Sequence, residues 1–176
     1  MTNKKAIILT ISILLVVCFL GIGLIWPYKG EVFEQYESNN KYFKIKAIAY
    51  EEEGIIKLPM GGAYYEYQSA PINSENWQEI ITIRHDDPNP ISKDKIYFVN
   101  DQIGYFYMNY DYCITIDGGK NWIIGNATKD LPNWENYRES INTLKISPDG
   151  SGEMVFINKA PTLYTKDYGK HWSLNK

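Results

Sequence analysis

Cysteine, histidine and arginine are all scarce in this 176-residue chain, and each scarcity closes a route to function. The two cysteines are Cys18 and Cys113, and the first lies inside an apolar run, so no disulfide framework can be built. The two histidines, His85 and His171, stand far apart without neighbouring cysteines, which leaves no zinc-ligand spacing. Asp111 and Asp117 lack the interleaved ligand series of a calcium loop. Arginine occurs only as Arg84 and Arg138; lysine and arginine together number 18 against 21 acidic residues, a net charge of −3. The basic face that phosphate-backbone binding requires is missing, so nucleic acid is not an expected partner. There is no Gly-x-Ser-x-Gly turn, no His-Glu-x-x-His pair and no phosphate-binding glycine loop. No catalytic residues, metal ligands or cofactor are expected, and the chain reads as non-enzymatic.

What is present begins with a long hydrophobic run. Ala6 to Trp26 is interrupted only by Thr10 and Ser12 and carries no charge. At 1.5 Å per residue such a helix spans about 31 Å, one bilayer hydrocarbon core. Lys4 and Lys5 precede it, which by the positive-inside rule keeps residues 1–5 cytoplasmic and sends the rest across the inner membrane into the periplasm. A cleaved signal would need a shorter apolar core followed by small residues, and a lipoprotein signal ending at Cys18 would need a small residue where Val17 stands. An uncleaved single-pass anchor over 6–26 is the leading reading of the three. Without Lys4 and Lys5 the exported part changes from −3 to −5, so anionic lipid would not attract it.

Residues 31–40 are polar and lack alternating apolar positions, which predicts a short tether over 27–40. From Lys41 onward, short alternating segments are separated by turn residues: 42–50, 62–68, 78–84, 95–99, 104–108, 112–116, 121–124, 143–146, 153–157 and 163–165. The one candidate for a helical turn outside the anchor is 133–140. The fold class is therefore all-β over 41–176, preceded by a transmembrane helix.

An internal repeat sharpens this reading. Thr115-Ile-Asp117-Gly-Gly119-Lys-Asn-Trp122 recurs 50 residues later as Thr165-Lys-Asp167-Tyr-Gly169-Lys-His-Trp172. The aspartates suit Asx-type turns, the glycines supply positive φ, and the tryptophans cover the turn from the returning strand. This resembles the Asp-box, the Ser/Thr-x-Asp-x-Gly-x-Thr-Trp hairpin of sialidases and other β-propeller proteins. Both copies depart from it at the seventh position, where Asn121 and His171 replace threonine. The resemblance implies a structural role for the box, on a hairpin between outer strands and away from a ligand face. A third, degenerate unit runs from Tyr67 to Trp77, which precedes Trp122 by 45 residues. Three such units are too few for a closed propeller, so an incomplete propeller or a sandwich-like arrangement is expected. A sialidase would need three arginines on its substrate carboxylate, and this chain has two.

Tyrosine is abundant, with 15 copies concentrated in Ala63–Tyr67 and Gly104–Tyr112. Strand alternation sends Tyr105 and Tyr107 to one face and Phe106 and Met108 to the other, so one tyrosine face either stays partly exposed for binding or packs as cross-strand aromatic pairs beneath a neighbouring sheet. Tyr107, Tyr110 and Asp111, around a polar hairpin tip, are the expected partner-binding residues, with the Tyr64–Tyr67 strand next in line. His85, before Asp86 and Asp87, reads as an exposed turn histidine. A small exported domain on one anchor, with Asp-box repeats and no catalytic set, resembles the immunity proteins that bacteria pair with type VI secretion lipase effectors. That resemblance implies a protein partner, a secreted lipase toxin blocked by steric occlusion. An assembly factor for a membrane complex and a carbohydrate-binding protein are the alternatives.

Overall fold

The computed structural model describes residue 12 and residues 27–54, 59–136, 139–158 and 160–175. Apart from residue 12, the expected anchor and the cytoplasmic tip lie outside the described residues, and so do Tyr137 and Arg138. Among the described residues no helix is long and apolar enough to cross a membrane.

The domain is all-β, and every strand pairing is antiparallel. The first sheet joins β1 (Tyr28–Asn39), β2 (Phe43–Glu53), β3 (Pro59–Pro71) and β4 (Gln78–His85) in chain order. The second joins β5 (Ile96–Phe98), β6 (Gly104–Met108), β7 (Asp111–Thr115) and β8 (Ile123–Asn126) in the same way. The third contains β9 (Ile141–Ile146), β10 (Gly152–Phe156) and β11 (Leu163–Thr165), with Ser173 bridging back to Tyr164. Among the described residues after Pro27, helical structure amounts to one turn, α1 (Ala127–Asp130), capped by the Asn126 side chain, and short 3-10 turns at Lys93–Lys95 and Trp134–Asn136.

The expected tether is not a tether. Residues 28–39 form β1, paired with β2 from Tyr28↔Glu53 to Asn39↔Lys44. Two features hide this strand from its pattern. It lies at a sheet edge, where charged residues such as Glu31, Glu34 and Glu37 are tolerated, and register shifts on either side of Val32 break its alternation. Residues 28–39 therefore belong to the folded domain, which the sequence pattern places from Lys41 onward.

The three sheets stack face to face, and the second lies in the middle. One core fills the space between the first two sheets with Phe43, Ile45, Tyr65, Tyr67, Phe106, Met108 and Cys113. The other lies between the second and third, with Tyr105, Tyr107, Tyr112, Ile114, Leu144, Met154 and Leu163. Every residue of β6 is buried. Of the two readings of the tyrosine face, the exposed one fails and the packed one holds, because a sheet covered on both sides needs apolar or aromatic residues at every position, as β6 has. Tyr67 stacks on Phe106 at 4.1 Å between ring centroids, and Phe106 meets Trp122 at 5.6 Å.

Because Phe106 is almost fully buried at the centre of the first core, Phe106→Ala removes packing that neighbouring rigid strands cannot refill. The expected loss is about 3–5 kcal/mol, read as a fall in the urea midpoint with little change in slope.

Candidate functional site

The two repeated turns have nearly the same hydrogen-bond network. Thr115 Oγ1 donates to Asp117 Oδ1 at 3.0 Å and accepts from Gly119 N at 3.0 Å. Asp117 Oδ1 also accepts from Lys120 N and Asn121 N, and Oδ2 accepts from Asn121 Nδ2 at 2.7 Å. In the second copy Thr165 Oγ1 donates to Asp167 and accepts from Gly169 N, while His171 N and His171 Nδ1 engage the two Asp167 oxygens. The seventh residue therefore holds Oδ2 in both turns although neither copy has a threonine there. Gly119 and Gly169 have φ of +82° and +79°, and the residues before them, Gly118 and Tyr168, are also left-handed.

Each turn clasps the preceding sheet. A Cβ on Gly119 would lie 2.8 Å from a Phe43 ring atom, and one on Gly169 would lie 2.5 Å from Ile114 Cδ1. Trp122 Nε1 donates to Ser69 Oγ of the first sheet at 3.2 Å. Trp172 Nε1 donates to the Tyr112 hydroxyl of the second at 2.9 Å, and that hydroxyl donates to Asp130 Oδ2. Thr115, Asp117, Gly119 and Trp122, like Thr165, Asp167, Gly169 and Trp172, are thus fully occupied in building turns and joining sheets.

The expected partner-binding residues cluster at the opposite end of the stack, but they do not form an open patch. Tyr107 is only 3% exposed, and its hydroxyl donates to Asn142 O. Tyr110 is half-buried with its ring edge-on to Trp134, and Asp111 accepts from Asn126 Nδ2 at 2.6 Å. Burial pushes the Asp111 carboxyl up, against the opposing influence of Asn126, His85 and Lys129. The tip is tied down as well, since Asn109 O accepts from Ile141 N and Tyr110 O from Ala127 N. His85 is a junction residue and not an exposed turn residue: it is half-buried, with Nε2 against Asn109 Nδ2 and Nδ1 buried. What local sequence does not show is that Ala127, Trp134 and Ile141, all later in the chain, come back against this tip.

The outer face of the first sheet presents a different surface. Along β2, Phe43, Ile45, Ala47 and Ala49 point into the core, and Lys44, Lys46, Ile48 and Tyr50 point away. Among the described residues no further sheet packs on that outer side. Trp77 lies across it, with Lys46 Nζ 3.7 Å and Lys44 Nζ 4.6 Å from its ring centroid. Lys44 also pairs with Glu75 at 2.8 Å. Lys29 reaches Glu66 at 2.6 Å and lies over Tyr50, and Arg84 makes a two-pronged pair with Glu52 at 2.5 and 3.0 Å. Burial raises the Glu66 carboxyl, but the hydrogen bonds from Lys29 and Gln68 outweigh it, and the group stays ionised below its usual range. Tyr50, Tyr64 and Trp77 remain half-exposed among these pairs. Of these residues the sequence singles out Tyr64, in its tyrosine-rich strand, and Trp77, as the third repeat tryptophan, but nothing local marks the side that Trp77 covers. Among the described residues no three His, Cys, Asp or Glu side chains are placed to share a metal ion.

The turns carry a pH signature. Partial burial pushes the Asp167 carboxyl up, but the His171 side chain and backbone and Thr165 together hold it down at about 2, against 3.8 for the free group. A depressed carboxylate stabilises the fold fully above its unfolded value and loses that contribution as pH falls through the folded one. Asp167→Asn is therefore expected to melt below wild type at pH 7, with the gap narrowing below pH 3.8 and closing near pH 2 in thermal melts followed by circular dichroism.

Compared with known proteins, the chain matches no protein-family model, no curated protein and no solved structure.

Proposed function

We propose that this chain is a non-catalytic binding module: a stack of blade-like sheets forming an incomplete propeller, held at the periplasmic side of the inner membrane by residues 6–26, that occludes a partner protein. Following the resemblance to immunity proteins of type VI secretion lipases, the proposed partner is a secreted lipase toxin. The observation that carries the reading is the position of Trp77. In the second and third sheets the corresponding tryptophans, Trp122 and Trp172, pack onto the sheet before them. The first sheet has no predecessor among the described residues, and its Trp77 stays half-exposed beside Tyr50 and Tyr64. Tryptophan, tyrosine and arginine are the residues that dominate protein-binding energetics when a partner desolvates them. The ion pairs around them hold the long side chains in place before binding, which lowers the entropic cost of association. A carbohydrate reading fits less well, because Lys46 already occupies a face of the Trp77 ring that a sugar would stack on.

The test is inhibition of a lipase effector encoded beside this chain. Stoichiometric addition of the protein should abolish phospholipid hydrolysis, and Trp77→Ala combined with Tyr50→Ala should weaken the complex at least about tenfold, roughly 1.4 kcal/mol. The double variant should retain the wild-type circular dichroism spectrum. Unchanged inhibition by that variant would place the binding surface elsewhere, and hydrolysis unaffected by the wild-type protein would remove the inhibitor reading.

A further inference from the structure

The connection between the hydrophobic run and the first strand leaves almost no slack. The run ends at Trp26, and β1 begins at Tyr28. From its first residues the chain is already fastened to the sheet: Tyr64 donates its hydroxyl to Pro27 O at 3.3 Å, Tyr28 donates to Glu53 Oε2 at 3.2 Å, and Tyr28 pairs with Glu53 across the ladder. The same end of the stack therefore holds the start of β1, the end of β2 at Glu53 and Gly54, and the end of β4 at His85 with the loop through Pro88.

We propose that this end of the domain rests on the lipid headgroup layer, with Tyr28, Phe33 and Pro88 at the contact, and that the repeated Thr-x-Asp turns are held at the far end. The proposal rests on the anchor assigned to residues 6–26 under the proposed function. Three observations give the partner its chemistry. Tyr28 and Phe33 are 36% and 41% exposed, and Phe33 lines a shallow cavity with Gly61 and Pro88. An aromatic ring with a polar tip, such as tyrosine, suits the headgroup level. Glu51, Asp86 and Asp87 are exposed at the same end and, among the described residues, only Asp86 of these is paired, with Arg84 at 2.8 Å, an acidic excess that favours a neutral, zwitterionic surface over an anionic one.

The register sets the distance to the other end. Gly119 sits against Phe43, which is ten residues along β2 from Glu53. At about 3.3 Å per residue, the second-sheet turn stands roughly 33 Å from the proposed lipid contact. A partner therefore reaches the outer face of the first sheet from the side, parallel to the membrane.

The experiment uses the full chain, with Cys18→Ser, reconstituted into phosphatidylcholine vesicles that carry a headgroup spin label. Cys113 is fully buried and escapes labelling. A fluorophore is attached at Asp87→Cys or, in a second protein, at Lys120→Cys; both positions are exposed. Asp86→Cys and Lys170→Cys form a second pair should either of the first fail to fold. The lipid label should quench the fluorophore at residue 87 or 86 several-fold more strongly than at 120 or 170, and added salt should not change the ratio. Co-flotation with the vesicles but equal quenching at both ends, or stronger quenching at residue 120, would overturn this orientation while leaving the anchor intact. Failure to float with the vesicles would overturn the anchor and this orientation together.

Discussion

Burial of the second sheet on both faces is the constraint on which the rest of the domain depends. A sheet covered once can alternate apolar with polar; one covered twice cannot. The chain meets this demand with aromatic side chains that carry a polar tip. Tyr105, Tyr107 and Tyr112 fill the second core, and Tyr107 and Tyr112 hydrogen-bond through their hydroxyls. Burial drives all three phenols up in pKa, to about 12 for Tyr105, so they are neutral donors at any physiological pH. Cys113 on the other face has its thiol pushed up by burial too, which removes the thiolate that reactivity would need.

Joining the sheets is the work of the repeated turns. In each, a threonine and an aspartate organise the backbone, a left-handed glycine brings the turn against the neighbouring sheet, and an indole N–H reaches a hydroxyl there. Replacement of the usual seventh residue by Asn121 or His171 preserves the one thing the aspartate requires, a donor for its second oxygen. The turn thus tolerates different residues at that position as long as the donor is retained. By contrast, a methyl group on either glycine would meet a packed core side chain and a backbone conformation unfavourable to other residues.

Strand positions after Lys41 were legible because central strands and their Gly-, Asn- and Asp-rich turns leave strong local marks. All ten expected segments coincide with β2–β11 to within a few residues. The strand β1 was not legible, since an edge strand has one neighbour and bulges disturb its alternation. The candidate site was less legible than the fold. Alternation correctly separates Tyr107 from Phe106, but which face meets solvent depends on a third sheet that begins more than 30 residues later, at Ile141. Likewise His85 and Asp111 come together only because the end of the first sheet abuts the β6–β7 turn. Trp77 lies on a face that no other sheet covers among the described residues, and no residue near it encodes that.

The strand order within the sheets has a consequence for how the chain acquires its shape. Every sheet is a meander of consecutive strands, and each core lies between sheets that follow one another in sequence. No strand must wait for a distant segment to complete its own sheet, which keeps loop-closure costs low. A chain that emerges from its N-terminus can therefore assemble vectorially, with the first sheet complete before the second is available to cover it. The intermediate would expose the alanine- and tyrosine-rich inner face of the first sheet, and later the tyrosine face of β6, each for the time needed to produce the next sheet. Those transient faces, more than any surface of the finished domain, are where premature association between copies would begin.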